Sequence, residues 1–210
     1  MREIETLLFD LGGVLVELTG IAGMMSWSNL DEEEISHRWM HSAAVRRFES
    51  GNCTAVDFCS EMVDEFSLST SPENFRKAFQ AWPVPYPGVC ELLERLSTKF
   101  RMVCLSNTNH LHWERFTTES ELLSHFHITL PSHITGKMKP DPEVYYHALD
   151  VLGVHPNSIF FMDDNQLNID AALAVGIQAE LTRSPSGVIE NLNEKGLLAG
   201  VDMDEKSTSS

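Results

Sequence analysis

The sequence has few basic residues: 15 Lys and Arg stand against 31 Asp and Glu in 210 residues, which gives a formal net charge of −16. A surface with this excess of negative charge repels polyanions, so we expect no nucleic-acid partner. An anionic ligand would need a local site of backbone amides, a lysine or a metal ion to bind against the overall field. The composition therefore favours a metal ion wherever an anion binds.

Long apolar runs, export signals and paired cysteines are also missing. The N-terminus carries Glu3 and Glu5 beside a short apolar run, so it lacks the basic start of a signal peptide. No stretch approaches the roughly 20 apolar residues that span a bilayer. The four cysteines form no C-x-x-C pair and lie among apolar neighbours, which is typical of buried thiols in a reducing compartment. We therefore expect a cytoplasmic protein that does not contact membranes.

With 42% apolar residues, the chain can bury one full core and a small insertion. Five short apolar segments indicate buried strands, and helical patterns lie in the intervals between them. The predicted strands are Thr6 to Asp10, Met102 to Ser106, His127 to Leu130, Ser158 to Asp164 and Ile177 to Leu181. Alternation of strand and helix predicts an α/β fold with a doubly wound parallel sheet.

The helix signals suggest how the chain is divided. Asp141-Pro142-Glu143 opens a helix that Gly153 follows, and Asn165 to Val175 has the same pattern before Gly176. Between Leu18 and Pro87 we predict helices near residues 31–49, 54–66 and 71–82 and no strand. The predicted division is a core of residues 1–17 and 88–200, a helical insertion of residues 18–87 and a disordered tail of residues 201–210.

Polar side chains suited to chemistry stand at the carboxyl ends of predicted strands: Asp10, Ser106, Asp163 and Asp164. In an open parallel sheet these ends converge on one crevice, even when they lie far apart in the chain. Carboxylates gathered there repel each other unless a cation lies among them, and an oxygen-only ligand set favours Mg²⁺. We therefore predict a magnesium site in this crevice.

Four motifs at these positions resemble, in order, the four motifs of the haloacid dehalogenase-like hydrolases. They are Leu7-Leu8-Phe9-Asp10-Leu11-Gly12-Gly13-Val14-Leu15, Leu105-Ser106-Asn107-Thr108-Asn109, Lys137-Met138-Lys139-Pro140-Asp141-Pro142 and Phe160-Phe161-Met162-Asp163-Asp164-Asn165. Each motif alone is a weak signal, but four in family order are specific. The resemblance covers residues 4–181 and implies a Rossmann-like core with a small helical cap, which would be the insertion.

The resemblance implies a covalent mechanism at the first and fourth motifs. Asp10 would attack phosphorus and form an aspartyl-phosphate. The Mg²⁺ would be held by the Asp10 side chain, the backbone carbonyl of Gly12 and the carboxylate of Asp164, with Asp163 close behind through water.

The second and third motifs would bind the phosphoryl group. The resemblance implies that Ser106 and the Asn107 amide hold phosphate oxygens. Lys139 would neutralise charge on the phosphoryl group and on Asp10. Lys137 competes for this role, but Lys139 stands immediately before the Pro-Asp-Pro turn, as the family pattern requires.

Gly12 departs from the family pattern. Most phosphatases of this family have a second Asp there, which protonates the leaving alcohol and then activates water; its loss removes acid-base help of about 10²–10⁴-fold. Glu17 and His112 are candidate replacements, although each also suits a surface or packing position. A leaving group such as an anomeric sugar oxygen or an acyl phosphate would need little protonation. A related Gly-bearing subgroup, which this sequence resembles, includes a sugar 1-phosphate phosphatase, so a hexose 1-phosphate is the substrate that we predict first.

The predicted function is magnesium-dependent hydrolysis of a small phosphorylated metabolite, with monomer or dimer left open. One alternative is a catalytically silent module that binds a phosphometabolite or a protein. The absence of an acidic side chain at Gly12 is the feature that favours this alternative. Another is a 2-haloacid dehalogenase, in which the same Asp attacks carbon without a metal; the Asp163-Asp164 pair argues against it. We expect most aromatic residues of the insertion to form its own core. They are Trp27, Trp39, Phe48, Phe58, Phe75 and Trp82.

Overall fold

The computed structural model describes residues 3–203, which contain seven strands in two sheets. The strands are Thr6–Phe9 (β1), Val16–Leu18 (β2), Pro83–Pro85 (β3), Arg101–Ser106 (β4), Ile128–Pro131 (β5), Ile159–Asp163 (β6) and Gln178–Leu181 (β7). Five of them form a parallel sheet in the order β5-β4-β1-β6-β7. These are the five strands predicted from the sequence, each bounded within one residue, so the predicted doubly wound α/β fold is confirmed.

Both faces of the sheet are buried, as the alternation along β1 shows. Leu7 and Phe9 contact one apolar cluster, whereas Leu8 contacts a second cluster on the opposite face. In β6 the alternation is the same, with Phe160 in the first cluster and Phe161 in the second. Because helices cover both faces, the strands are continuous apolar runs, which is why the sequence revealed them.

Eleven α-helices lie within the described residues. They are Gly20–Met25 (α1), Glu32–His41 (α2), Ala43–Glu49 (α3), Ala55–Glu65 (α4), Pro72–Ala81 (α5), Val89–Ser97 (α6), His110–Glu119 (α7), Ser132–Thr135 (α8), Pro142–Leu152 (α9), Gln166–Ala174 (α10) and Ser184–Glu194 (α11). None of them is both long and apolar enough to cross a membrane.

The start and end of α9 follow the expected signals. It begins at Pro142, and Gly153 ends it in the left-handed conformation, with φ +64°. Asp141 stands at the capping position, but its side chain makes no capping hydrogen bond. Its carboxylate instead lies 2.6 Å from the Arg46 guanidinium of α3, so an exposed ion pair joins the insertion to the sheet domain.

The inserted helices α1 to α5 have an apolar cluster of their own. Phe48, Phe58 and Phe75 are fully buried in it, and the Phe48 and Phe58 rings stack with centroids 4.1 Å apart. Trp27, Trp39 and Trp82 pack partly buried around this cluster. The prediction that most aromatic residues of the insertion form its core is confirmed.

A two-stranded antiparallel ribbon stands at the base of the insertion, where β2 pairs with β3. The prediction of no strand between Leu18 and Pro87 is therefore wrong at Pro83–Pro85. Three residues are too few to show an alternating pattern, and prolines weaken any strand signal. They are tolerated here because a two-stranded ribbon leaves outer edges that need no backbone donor.

The predicted tail begins later than residue 201. Val201 is buried in the cluster that includes Leu7 and Phe9, and Met203 packs against it. The prediction of disorder is therefore wrong for residues 201–203, because an apolar side chain at position 201 can still reach the core. The remaining residues of that prediction, 204–210, lie outside the described part of the chain.

Candidate active site

The carboxyl ends of the central strands bring the predicted carboxylates together. Phe9 of β1 pairs in register with Met162 of β6, so Asp10 and Asp163, one residue further along each strand, stand side by side. Asp10, Asp163 and Asp164 each offer a carboxylate oxygen, and these oxygens all lie within 4.8 Å of one another. The predicted convergence of the first and fourth motifs is present in the fold.

Lys139 is the cation of this cluster. Its Nζ lies 2.7 Å from Asp10 Oδ1 and 2.6 Å from Asp163 Oδ2, and its side chain is 1% exposed. Burial alone would lower the pKa of Lys139, but the two carboxylates raise it above its ordinary value, so the ammonium group stays charged. The competing Lys137 lies elsewhere, with its Nζ 3.8 Å from Glu143 Oε2.

Lys139 is held in place by its backbone and by Asp163. Its N–H donates to Asn107 Oδ1, and its carbonyl accepts from Asn107 Nδ2, both at 2.9 Å. The second oxygen of Asp163 accepts from Asn165 N and Asn168 Nδ2, also at 2.9 Å. Both Asp163 oxygens are thus engaged, which suits a residue that supports Lys139; its water-mediated metal contact stays a prediction.

The buried carboxylates are crowded. Burial raises the pKa of Asp10 to about 7; Lys139 opposes this rise, whereas Asp163 and Asp164 add to it. Burial, followed by Asp163, also raises the pKa of Asp164, against the opposing effect of Lys139 and Arg183. A divalent cation among these oxygens would relieve the repulsion between them.

The residues present fit such a cation. Gly13 has φ +70°, and a Cβ there would overlap the Asp164 carboxylate, so the glycine leaves the space that this carboxylate occupies. The Gly13 carbonyl accepts from Ser184 N at 2.8 Å, which fixes the turn after Asp10. The carboxylates of Asp10 and Asp164 offer only oxygen atoms, as Mg²⁺ prefers, and the contact from the Gly12 carbonyl stays a prediction.

The second motif lies beside this cluster. Ser106 is buried at the end of β4, and Ser106 and Asn107 both line the cleft that Asp10 faces. The Asn107 side chain already bonds to the Lys139 backbone through Oδ1 and through one hydrogen of Nδ2, so its backbone amide is the simpler donor for the predicted phosphate contact.

A cleft of about 570 Å³ opens over the strand ends, a volume typical of small-molecule sites. Asp10, Gly12 and Asp164 line it from the sheet domain, whereas Trp39 and Trp82 line it from the inserted helices. The cleft therefore lies between the predicted chemical groups and the insertion.

Glu17 and His112 are the two candidates to replace the acid that is missing at Gly12, and the structure supports neither. Glu17 lies exposed on β2 and does not line the cleft. His112 does line it, but its Nε2 lies 2.8 Å from the Phe79 carbonyl and its Nδ1 lies 3.1 Å from Asn109 Nδ2. Burial lowers the pKa of His112 to about 4. Both suggestions are therefore wrong as assignments of the acid.

Among the described cleft residues that the sequence reasoning missed, Glu49 is the one with a carboxyl group. Glu49, the last residue of α3, lines the cleft together with Asp10 and Asp164. Burial raises its pKa to about 7, the nearby Asp10 adds to this rise, and Lys139 opposes it. Only the glycine after this helix, Gly51, hints in the sequence that the helix ends here.

The chain is an α/β protein with a doubly wound sheet. A buried lysine and a cluster of carboxylates that could hold a metal ion lie at the ends of its central strands. The family model described as haloacid dehalogenase-like hydrolase matches residues 4–176. The chain belongs to this family of hydrolases, and the resemblance of the four motifs is confirmed.

Curated relatives of the chain are distant and differ in activity. The chain is 26% identical to an (S)-2-haloacid dehalogenase of Pseudomonas fluorescens, over 92% of this chain and 96% of that protein. It is 24% identical to phosphatase MT3486 of Mycobacterium tuberculosis (strain CDC 1551 / Oshkosh), over 93% and 96%. It is 25% identical to bifunctional epoxide hydrolase 2 of Sus scrofa over 91% of this chain, but it spans only 38% of that protein.

Solved structures share the fold. A haloacid dehalogenase-like family enzyme of Bacteroides thetaiotaomicron superimposes with a TM-score of 0.74 at 25% identity, over 88% of this chain and 96% of that chain. The same enzyme has been crystallised in complex with magnesium and inorganic phosphate; that structure has a TM-score of 0.72 at 24% identity, over 87% and 96%.

Proposed function

We propose that this chain is a magnesium-dependent phosphatase that hydrolyses a small phosphomonoester through an aspartyl-phosphate intermediate. One observation carries the proposal: Asp10, Asp163, Asp164 and the buried Lys139 are gathered at one set of strand ends. Attack on a carbon–halogen bond needs one carboxylate, whereas a phosphoryl group needs its charge neutralised beside the nucleophile. The Bacteroides enzyme has been crystallised with both magnesium and inorganic phosphate, which supports the proposal that this chain also binds a metal ion together with a phosphoryl group.

The proposed reaction uses Asp10 as the nucleophile. Its carboxylate oxygen attacks phosphorus, the bond from phosphorus to the leaving oxygen breaks, and an aspartyl-phosphate forms. Water then attacks phosphorus and frees Asp10. Lys139, at 2.7 Å, favours the ionised form of Asp10 and holds its oxygen in position. The Ser106 hydroxyl and the Asn107 backbone amide donate to phosphoryl oxygens.

The residues that would hold Mg²⁺ are Asp10, Gly12 through its carbonyl, and Asp164, with Asp163 behind them. When bound, the ion would neutralise charge on the phosphoryl group and on the attacking carboxylate. Gly13 keeps Asp164 next to Asp10 by leaving it room.

A small sugar phosphate, such as a hexose 1-phosphate, is the substrate that we propose to test first. Trp39 and Trp82 line the cleft opposite the carboxylates, and aromatic faces of this kind suit the flat faces of a sugar ring. In this proposal the inserted helices act as a cap that selects the substrate. The four free cysteines support a reducing, cytoplasmic location.

Asp10→Asn tests the proposal. We expect the wild type to release phosphate from at least one ester in a panel of sugar, acyl and alkyl phosphates when magnesium is added. Asp10→Asn should lower kcat/KM by about a thousandfold or more, because the amide is not nucleophilic. The exposed Asp150→Asn on α9 removes the same charge and should retain full activity.

Equal phosphate release by Asp10→Asn and wild type would contradict the proposal. Halide release from 2-haloacids that persists after metal chelation would identify a dehalogenase, as the Pseudomonas relative would suggest. Tight binding of phosphate esters with no turnover over hours would identify a silent binding module.

A further inference from the structure

The proposed reaction needs a group that protonates the leaving oxygen and later accepts a proton from water, and Gly12 has no side chain to do so. Among the described residues, five titratable side chains line the cleft: Asp10, Glu49, His112, Asp164 and Arg183. Asp10 is the proposed nucleophile, Asp164 belongs to the proposed metal site, and Arg183 offers a guanidinium group, which is a hydrogen-bond donor only. Both nitrogens of His112 are engaged. Glu49 is the group that remains.

We propose that Glu49 is the general acid and base of the reaction, an inference that rests on the proposed phosphatase function. As Asp10 attacks phosphorus and the bond to the leaving oxygen breaks, the Glu49 carboxyl group gives its proton to that oxygen and becomes a carboxylate. In the second displacement water attacks phosphorus, one water proton returns to Glu49, and the bond between Asp10 and phosphorus breaks. Inorganic phosphate leaves, and both carboxyl groups are restored.

The backbone of Glu49 is fixed against the loops that build the site. The Ser132 hydroxyl donates to the Glu49 carbonyl at 2.5 Å, and the same hydroxyl accepts from Thr108 N at 2.9 Å. Two residues later, Gly51 has φ +77°, and a Cβ there would overlap the His133 carbonyl. The end of α3 thus packs directly on α8, and Ser132 ties α8 to the loop after β4, so these contacts position Glu49 at the cleft.

The Glu49 carboxylate is half-buried and has no hydrogen-bond or ion-pair partner within residues 3–203. The two arginines of the same helix do not neutralise it, because Arg46 pairs with Asp141 and Arg47 pairs with Glu61. An unpartnered carboxylate in a cleft costs desolvation free energy, and most glutamates avoid this by facing water. Such a group is available to bond with the leaving oxygen of a substrate.

The electrostatic surroundings suit this chemistry. Burial raises the pKa of Glu49 to about 7, with a further rise from Asp10 and an opposing effect from Lys139. Asp164, His112 and Arg183 are the other titratable groups that face the same cleft. A carboxyl group with a pKa near neutral pH can both donate and accept a proton during turnover.

Glu49→Gln tests the assignment, with Glu32→Gln as the matched control, since Glu32 is an exposed glutamate of α2 in the same insertion. For an alkyl phosphate with magnesium, we expect Glu49→Gln to lower kcat/KM by about 10²–10⁴-fold and to remove the limb of the pH–rate profile that Glu49 supplies. The Glu32→Gln variant should keep the wild-type rate and profile.

An activated ester separates the two steps. The leaving group of 2,4-dinitrophenyl phosphate needs no proton, so Glu49→Gln should release one equivalent of dinitrophenol quickly and then stall as the aspartyl-phosphate. Intact-protein mass spectrometry would show the added phosphoryl group, a signature that a purely structural role for Glu49 would not produce. If Glu49→Gln fails to fold, Glu49→Asp should turn over slowly and retain the pH limb.

Different failures have different meanings. Wild-type rates and pH profile in folded Glu49→Gln, with Asp10→Asn inactive, would overturn the role of Glu49 and leave the phosphatase proposal standing. A wild type that releases no phosphate from any ester would overturn both.

Discussion

At the level of single residues, the cleft keeps carboxyl groups where burial disfavours their charge. Lys139 compensates Asp10 and Asp163 through bonds of 2.7 and 2.6 Å, but Glu49 has no such partner among residues 3–203. An uncompensated carboxyl group in a folded protein lowers stability at the pH where it must ionise. The metal-free protein should therefore have a lower free energy of unfolding at a pH where Glu49 is ionised.

The pH dependence of stability should reveal this cost. The pKa of Glu49 rises from 4.5 to about 7 on folding, so the folded state binds more protons between these values. The stability from this group is present below pH 4.5 and is lost as pH rises through 7. From pH 5 to 8, the free energy of unfolding should fall by about 1–3 kcal/mol more for wild type than for Glu49→Gln.

Urea denaturation in the presence of a chelator, at both pH values, measures this difference. Glu32→Gln should follow the wild type, because Glu32 is exposed. Parallel pH dependence in wild type and Glu49→Gln would show that Glu49 ionises as easily in the folded chain as in the unfolded one.

The residue scale also shows what the sequence could predict. Asp10 follows the apolar strand β1 and Asp163 ends the apolar strand β6, so a local pattern marked both residues, and the parallel sheet then brought them together. Glu49 had no local pattern, because its place in the cleft depends on how α3 docks on Ser132. Glu17 lies close to Asp10 in sequence, but strand pairing of β2 turns its side chain towards solvent.

At the level of elements, Arg115 of α7 joins the sheet domain to the end of the insertion. Its Nη1 donates to the carbonyls of Ala81 at 3.0 Å and Pro83 at 2.6 Å, and its Nε donates to Glu119 at 3.0 Å. A guanidinium group is suited to this position because it presents several donors in one plane. The C-terminal end of α5 and the first residue of β3 are thus tied to one side chain.

Arg115→Met should loosen this junction. Methionine keeps most of the apolar stem but removes every donor, so we expect a loss of about 1.5–3 kcal/mol in the free energy of unfolding, as for hydrogen bonds from charged groups. Urea denaturation measures it, and Arg76→Met on the exposed side of α5 is the control. A loss for Arg115→Met no larger than for Arg76→Met would show that these bonds add nothing to stability.

Elements were predictable where burial is continuous. The strands of the large sheet and helix α9 carry apolar runs or capping signals, and their bounds agree with the sequence prediction. β3 is a three-residue strand with a proline at each end, and α1 has six residues, so neither contains two full repeats of its own pattern. Their conformations depend on pairing with β2 and on packing against Trp82.

At the level of the whole molecule, a net charge of −16 and an acidic centre both disfavour the metal-free fold. A cation that binds only the native state should raise stability by mass action. Magnesium at 100 times its dissociation constant should add about 2.7 kcal/mol to the free energy of unfolding. Thermal unfolding with and without Mg²⁺ measures this effect.

Asp164→Asn should abolish most of this magnesium-dependent rise in Tm, because it removes the charge of a proposed metal ligand. Asp150→Asn removes the same charge from the exposed side of α9 and should leave the rise intact. An equal rise in all three proteins would mean that magnesium acts through general screening of the acidic surface.

If Glu49 transfers protons as proposed, the hydroxyl of Ser132 would couple that step to the position of the inserted helices. It bonds at once to the loop after β4 and to the end of the helix that carries Glu49. If the inserted helices lifted away, this bond would break and the carboxyl group would retreat with its helix. Water that entered the open cleft would then have no base to activate it, so the proposed aspartyl-phosphate would persist until the helices returned. The contact between the inserted helices and the sheet domain would then determine when the aspartyl-phosphate is hydrolysed.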